Sequence, residues 1–232
     1  MRITIEHGID GAKKASSRGD AIAVIDVLRA STTYSAMLTS GAERIIPYPS
    51  KEKLEEEAGL YPGAIKSGER ECKKILGFDM GSSPSKIIKL ELFRKIVLSS
   101  TTNGSKVANA SKGSPLLIMS GFCNISRSCR MLLDSGMDVT LVCCGRKGLP
   151  VPEDSICAVE MSSILSGSNI PNFSHDELIS ICKRSKSYET LRNAELEEDF
   201  EICLMRDVFD AVPIFDGVGF RNNLDENSEV LG

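Results

Sequence analysis

The chain has no tryptophan and only two histidines, His7 and His175, among 232 residues. So few imidazoles leave little material for a histidine-based zinc centre. The eight cysteines do not supply one either. No two of them form a C-x-x-C pair, and Cys143 and Cys144 are adjacent inside an apolar run, so these thiols read as small buried hydrophobes in a reducing compartment. No stretch approaches the roughly 18 apolar residues of a membrane span, and the opening M-R-I-T-I-E-H-G lacks the apolar core of a secretory signal. A cytoplasmic protein without a membrane partner is expected. A basic surplus is missing as well: 28 Lys and Arg stand against 32 Asp and Glu, a net charge of −4. Bulk charge therefore argues against a nucleic-acid partner, and any anion site must be local. The nucleotide loops G-x-x-x-x-G-K-[ST] and G-x-G-x-x-G are absent. So is C-x5-R, which a cysteine phosphatase requires.

What is present is a set of strand ends that carry chemistry. Residues 21–35 read A-I-A-V-I-D-V-L-R-A-S-T-T-Y-S: a β-branched run suited to a strand buried on both faces, then Asp26, Arg29 and three hydroxyls. Ser31, Thr32 and Thr33 are expected to cap a helix running to about Ser40. Free N–H groups and the positive end of that helix can hold an anion beside Asp26. An aspartyl-phosphate enzyme of the haloacid dehalogenase type would want a second acid two residues after Asp26, where Leu28 stands.

The rest of the chain alternates similarly. Residues 1–8 suggest an edge strand, 10–19 a polar connection, 44–48 a second strand and 50–58 a solvated helix capped by Ser50. Residues 68–85 hold Gly68, Glu69, Arg70, Asp79 and Ser82 in a glycine-punctuated loop, followed by a helix expected over 84–93. A strand at 95–98 runs into Ser99–Ser100–Thr101–Thr102–Asn103–Gly104, and another at 139–144 into a loop with Arg146, Lys147, Glu153 and Asp154. Helices are expected at 122–133, 155–165 and 191–205, with 212–215 packed on the core and 221–232 a polar tail. Segments 21–60 and 91–130 resemble each other at a spacing of 70 residues, as two βαβα halves would. The expected architecture is one α/β domain over 1–220: three α/β/α layers around a largely parallel or mixed sheet, with the strands' carboxyl ends and the ligand site on one edge.

At that edge Asp26, Arg29, Glu69, Arg70, Asp79, Thr101, Thr102, Asn103, Arg146, Glu153 and Asp154 should converge. Oxygen-only acids favour magnesium over zinc, and arginine forks suit phosphate or sulfonate. Metal-assisted chemistry at phosphorus is what survives the exclusions.

The motifs V-I-D-V-L-R-A-S-T-T, G-E-R with G-F-D-M-G-S-S-P-S, S-T-T-N-G-S-K, P-E-D-S-I-C-A and V-F-D-A-V-P together resemble the 2-phosphosulfolactate phosphatases of the coenzyme M pathway. That resemblance spans about residues 1–220. It implies a Mg2+-dependent phosphatase converting 2-phospho-3-sulfolactate and water to 3-sulfolactate and phosphate. It implies Asp26, Arg29, Glu69 and Asp154 as catalytic residues, with Asp79 and Glu153 joining Asp26, Glu69 and Asp154 as metal ligands. Ser31, Thr32, Arg70, Thr101, Thr102, Asn103, Gly104 and Arg146 would bind substrate, with Arg146 or Lys147 facing the sulfonate and carboxylate. The chain departs from the family pattern at Arg70-Glu71-Cys72, at Ser82 and at Lys106. A phosphatase for another small phosphorylated 2-hydroxy acid, and a non-catalytic phospho-ligand-binding domain, are the alternatives; a homodimer is left open.

Overall fold

A strand β1 (Ile3–His7) leads directly into a helix α1 (Gly8–Arg18), where a polar connection was expected. The buried side of α1 consists of Gly11, Ala12 and Ala15, too small to register as an apolar stripe beside five charged and hydroxyl neighbours on the outer face. Gly19, at φ 73°, ends the helix by returning its N–H to Ala15 and Ser16, the left-handed cap that glycine makes without steric cost. The computed structural model describes residues 1–168 and 173–222. The expected tail from residue 223 onward lies outside the described residues.

The apolar run then forms β2 (Ala21–Ile25), every residue of it buried, between two parallel neighbours as its composition implied. There follow α2 (Ala30–Thr39), β3 (Arg44–Pro47) and α3 (Lys51–Glu57), the last capped by Ser50 as expected. A hairpin β4 (Ile65–Arg70) and β5 (Lys73–Lys74) comes next. Its two-residue turn has Glu71 and Cys72 both at positive φ, 50° and 64°, the mirror-image turn whose twist matches the flanking strands. The helix α4 (Pro84–Ile87) is a single turn, shorter than expected. Then come β6 (Ile96–Ser100), α5 (Gly104–Ala110), β7 (Leu117–Ser120), α6 (Ile125–Asp134), β8 (Val139–Cys143) and α7 (Pro152–Ser166). Past α8 (His175–Cys182), the one helix expected over 191–205 is two, α9 (Lys186–Asn193) and α10 (Glu197–Leu204), separated where Glu195 takes φ 56°. The described residues end with β9 (Pro213–Phe215) and β10 (Phe220–Asn222). Among the described residues no helix is long and apolar enough to cross a membrane.

The sheet order is β1-β8-β2-β7-β9-β10-β3-β6-β4-β5, flanked by helices. β1, β8, β2 and β7 run parallel, as do β3, β6 and β4. Between the two blocks lie three antiparallel pairings in succession, β7 with β9, β9 with β10 and β10 with β3. An odd number of reversals means the two parallel blocks run in opposite senses. The sheet is therefore mixed, and the single edge expected to gather all carboxyl ends does not exist as such. The joints at β7–β9 and β10–β3 each rest on one register pair, Ile118 with Ile214 and Ile45 with Phe220. The turn after β2 nevertheless meets the turn after β6, at Gly104.

Candidate active site

Two turns meet at the floor of a cleft enclosing about 610 Å³, its open mouth included. The turn after β2 carries Asp26, and the turn after β6 carries Thr101. Both are closed by the same pair of bonds. Asp26 Oδ1 accepts the Ala30 N–H at 3.2 Å while the Asp26 N–H donates to Ser31 Oγ at 3.0 Å. Thr101 Oγ1 accepts the Ser105 N–H at 2.9 Å while the Thr101 N–H donates to Ser105 Oγ at 3.0 Å. Asp26 thus caps α2 itself, the role expected of Ser31, Thr32 and Thr33, which are fully buried inside the helix. The turns touch because residue 104 is glycine. A Cβ there would stand 2.5 Å from Ala30 Cβ and 2.7 Å from Asp26 Oδ2, below any contact distance.

Around this floor stand four carboxylates. Burial pushes Asp26 up to about 6, against the pull of the Ala30 N–H, and Glu69 adds to the rise. Asp154, in the first turn of α7, is 2% exposed, and each of its oxygens takes a backbone N–H, from Val27 and from Gly145, both at 2.9 Å. It ties the ends of the neighbouring strands β2 and β8 together. Burial first, then Asp26, raises it well above its ordinary range. Glu69 Oε1 accepts the N–H and the hydroxyl of Thr102, both at 2.8 Å, and its Oε2 accepts the Cys72 N–H at 3.0 Å. The Thr102 donors expected to meet a phosphoryl group are thus already engaged by Glu69. Glu153 is different. It is 1% exposed and neither oxygen has a hydrogen-bond partner. Burial raises its pKa; the Ser187 and Ser185 hydroxyls lie near enough to moderate the rise, though neither makes a bond of ordinary geometry.

The cations come from two directions. Arg29, 5% exposed, pairs through Nη1 with Asp199 Oδ2. Asp199 is fully buried, and its other oxygen accepts from Ser83 Oγ at 2.8 Å, Ser85 N–H at 3.0 Å and Ser85 Oγ at 2.6 Å. One guanidinium nitrogen is so held, and the remaining N–H groups of Arg29, which lines the cleft, can receive an anion. At the mouth, Arg146 and Lys147 both pair with Glu71.

Of the residues singled out from the sequence, Asp26, Arg29, Glu69, Thr101, Thr102, Asn103, Arg146, Glu153 and Asp154 line this one cleft. Ser31 and Thr32 lie beneath its floor, and Gly104 forms the contact between the two turns. Arg70 turns away, donating to the Glu69 and Ser100 carbonyls at 2.7 and 3.1 Å and to Ser100 Oγ at 3.1 Å. Asp79 is exposed and outside the cleft, where its Oδ2 accepts the Lys66 N–H at 2.7 Å. Asp199 and Glu71 were not singled out. Asp199 had a readable signal: in the run 196–204 it falls on the stripe of Leu196, Phe200 and Cys203, where an acid should not be left without a partner.

Among the described residues no three His, Cys, Asp or Glu side chains form a ready ligand cage. The five-acid ligand set is not assembled as such, since Asp79 is elsewhere and Glu69 and Asp154 spend both oxygens on N–H donors. A magnesium ion nevertheless fits the cleft, because that ion commonly uses one or two carboxylates and completes its shell with water and substrate phosphate. Glu153, buried with two unpartnered oxygens, is the group with capacity to spare; Asp26, which faces the Ala30 and Gly104 N–H groups, lines the same cleft and would be the second carboxylate. The same clustering sets the sign of the pH dependence. Asp26, Glu153 and Asp154 all have folded-state pKa values above the unfolded ones, so the folded chain binds more protons and loses stability as pH rises from the ordinary carboxylate range through the raised folded-state values, about 6 for Asp26 and well above the ordinary range for Asp154. The melting temperature of metal-free protein should be higher at pH 5.5 than at pH 7.5. Added Mg2+ should raise it more at pH 7.5, where the carboxylates are free to ligate. Thermal unfolding followed by circular dichroism at both pH values checks this; a melting point that rises with pH in the absence of metal overturns it.

The family model described as 2-phosphosulpholactate phosphatase matches residues 9–217. A Clostridium botulinum protein (strain Eklund 17B / Type B) named probable 2-phosphosulfolactate phosphatase is 28% identical over 94% of this chain and 98% of its own length. A protein of the same name from Thermotoga maritima is 31% identical over 82% of this chain and 86% of its own length.

Proposed function

The chain belongs to the 2-phosphosulpholactate phosphatase family and is a phosphoric monoester hydrolase, and from that premise we propose that it hydrolyses 2-phospho-3-sulfolactate to 3-sulfolactate and phosphate with Mg2+ bound in the cleft. The observation that carries this reading is electrostatic. A substrate with phosphate, sulfonate and carboxylate groups must enter a cleft lined by Asp26, Glu69, Glu153 and Asp154, and like charges in a partly desolvated site repel strongly. Asp26 and Glu153 would hold a divalent cation that eases that conflict. When bound it supplies charge neutralisation at the phosphoryl oxygens and a more acidic water.

The chain's own groups then divide the work. Arg29, fixed from behind by Asp199, offers its free N–H groups to the equatorial phosphoryl oxygens. Asp154 holds the turn after β2 to the loop after β8, and Glu69 the turn after β6 to the β4–β5 turn, each by accepting backbone N–H bonds. Arg146 and Lys147, at the mouth, are placed for the sulfonate and carboxylate, for which guanidinium and ammonium donors are suited. Because phosphate monoesters are among the slowest uncatalysed hydrolyses, with enhancements up to ~10²¹, a fixed arrangement of this kind is needed.

The test is phosphate release from a panel of phosphorylated 2-hydroxy acids, with and without EDTA. Phosphosulfolactate should give the highest kcat/KM, EDTA should abolish turnover and Mg2+ should restore it. A different acid in first place overturns the substrate. Turnover indifferent to EDTA overturns the metal.

A further inference from the structure

The turn between β4 and β5 places Glu71 at the mouth of the cleft from one wall, and the loop after β8 places Arg146 and Lys147 there from the other. Arg146 Nη2 stands 2.7 Å from Glu71 Oε2, and Lys147 Nζ 2.7 Å from Glu71 Oε1. One carboxylate therefore bridges two cations, an oxygen to each, as a sulfonate or carboxylate of a ligand would. Both supports are closed by hydrogen bonds of their own. The Glu71-Cys72 turn is tied down through the Cys72 N–H to Glu69 at 3.0 Å, and the opposing loop is closed by the reciprocal backbone bonds of Arg146 and Leu149 at 2.8 and 3.0 Å. Glu71 and Lys147 are half-exposed or more, at 50% and 64%, so the bridge can open without dismantling the core.

We infer that Glu71 is a built-in competitor of the substrate's non-phosphoryl acid group: it occupies Arg146 and Lys147 in the empty enzyme, is displaced when substrate binds, and returns to expel the dephosphorylated acid. This rests on the proposed function, which assigns those two cations to the remote acid. Its physical content is an exchange of one anion for another, so the two cations are never left without an anionic partner. A phosphorylated molecule with no second acid cannot open the bridge, which makes Glu71 a specificity-determining residue.

The measurement is the Kd of two separate products, by calorimetry on the full chain: the dephosphorylated acid of whichever substrate the panel ranks first, 3-sulfolactate on the reading above, and inorganic phosphate. Glu71→Gln keeps the size of the side chain and removes its charge. The acid should bind about fivefold more tightly to this variant, which at 1.4 kcal/mol per tenfold is about 1 kcal/mol, the upper end for an exposed ion pair. Phosphate should change by less than about twofold. In the double variant Glu71→Gln/Arg146→Gln the gain should vanish. Weaker or unchanged binding of the acid to Glu71→Gln would show a latch that merely holds two loops together, and equal gains for acid and phosphate would show a general field; either overturns the inference. Failure of the substrate assignment appears separately, as a different acid at the head of the panel.

Discussion

Asp26→Asn is expected to lower turnover by at least ~10²-fold, the size of loss seen when a group stabilising charge in a phosphoryl- or acyl-transfer site is removed, while leaving the fold intact. The substitution is nearly isosteric, and the asparagine oxygen can still accept the Ala30 N–H that Asp26 Oδ1 accepts at 3.2 Å. The amide nitrogen then faces the Gly104 N–H that Asp26 accepts, a cost confined to that one contact between the turns. What disappears is the negative charge at the one point where the β2 and β6 turns meet. That charge is held under protest, since burial pushes the Asp26 pKa up to about 6. Its removal should consequently leave the melting temperature at pH 7.5 unchanged or higher, and flatten the fall in stability between pH 5.5 and 7.5. Activity lost with stability kept is the signature of a group retained for chemistry. Steady-state kinetics on the preferred substrate, with the melting curve of the same preparation, gives both numbers, and near-normal turnover in Asp26→Asn would falsify its place in the mechanism.

The second large effect belongs to a residue outside the cleft. Asp199→Ala should destabilise the protein by about 3–5 kcal/mol, the range for removing one partner of a buried ion pair, and depress the melting temperature by about 10 °C for a chain of this size. Asp199 is fully buried, and its loss strands Arg29, 5% exposed, together with the Ser83 hydroxyl and both donors of Ser85. The uncompensated guanidinium then has one way to recover solvation, by turning toward the cleft. Turnover should fall even at temperatures where the variant is folded, with kcat affected more than KM because a misplaced Arg29 no longer meets the developing charge. Asp199→Asn, which retains an oxygen for Ser85, should lie between. A melting point within about 2 °C of the unaltered chain would show that the pair contributes little.

These two residues show different limits of sequence reading. Asp26 could be found from its neighbours, because a carboxylate at the end of a β-branched run is a local pattern. Asp199 sits in an acidic stretch, L-E-E-D-F, where composition suggests a solvated face and only the helical spacing sets it apart. The helix α1 was missed for a related reason, since its buried face is built of glycine and alanine and periodicity needs contrast. Arg70 and Asp79 were drawn to the site by the company they keep in the chain. In the structure one turns back onto the Glu69 and Ser100 carbonyls and the other closes a loop onto Lys66.

Local order along the chain determined the strands, most of the helices, the polar turns at the strand ends and the chemical character of the residues gathered there, because burial periodicity and turn chemistry act over a few residues. Tertiary structure decided which of those residues have anything left to offer a ligand. Whether a carboxylate is free depends on donors far away: Glu69 is engaged by a residue 33 positions on, Asp154 by one 127 back, and Asp199 by one 170 back. It also decided the sense of the two strand blocks, through a hairpin formed by the last two strands and inserted between them. No local pattern carries either fact, since each is a property of which distant backbone groups have already been satisfied when the chain closes on itself.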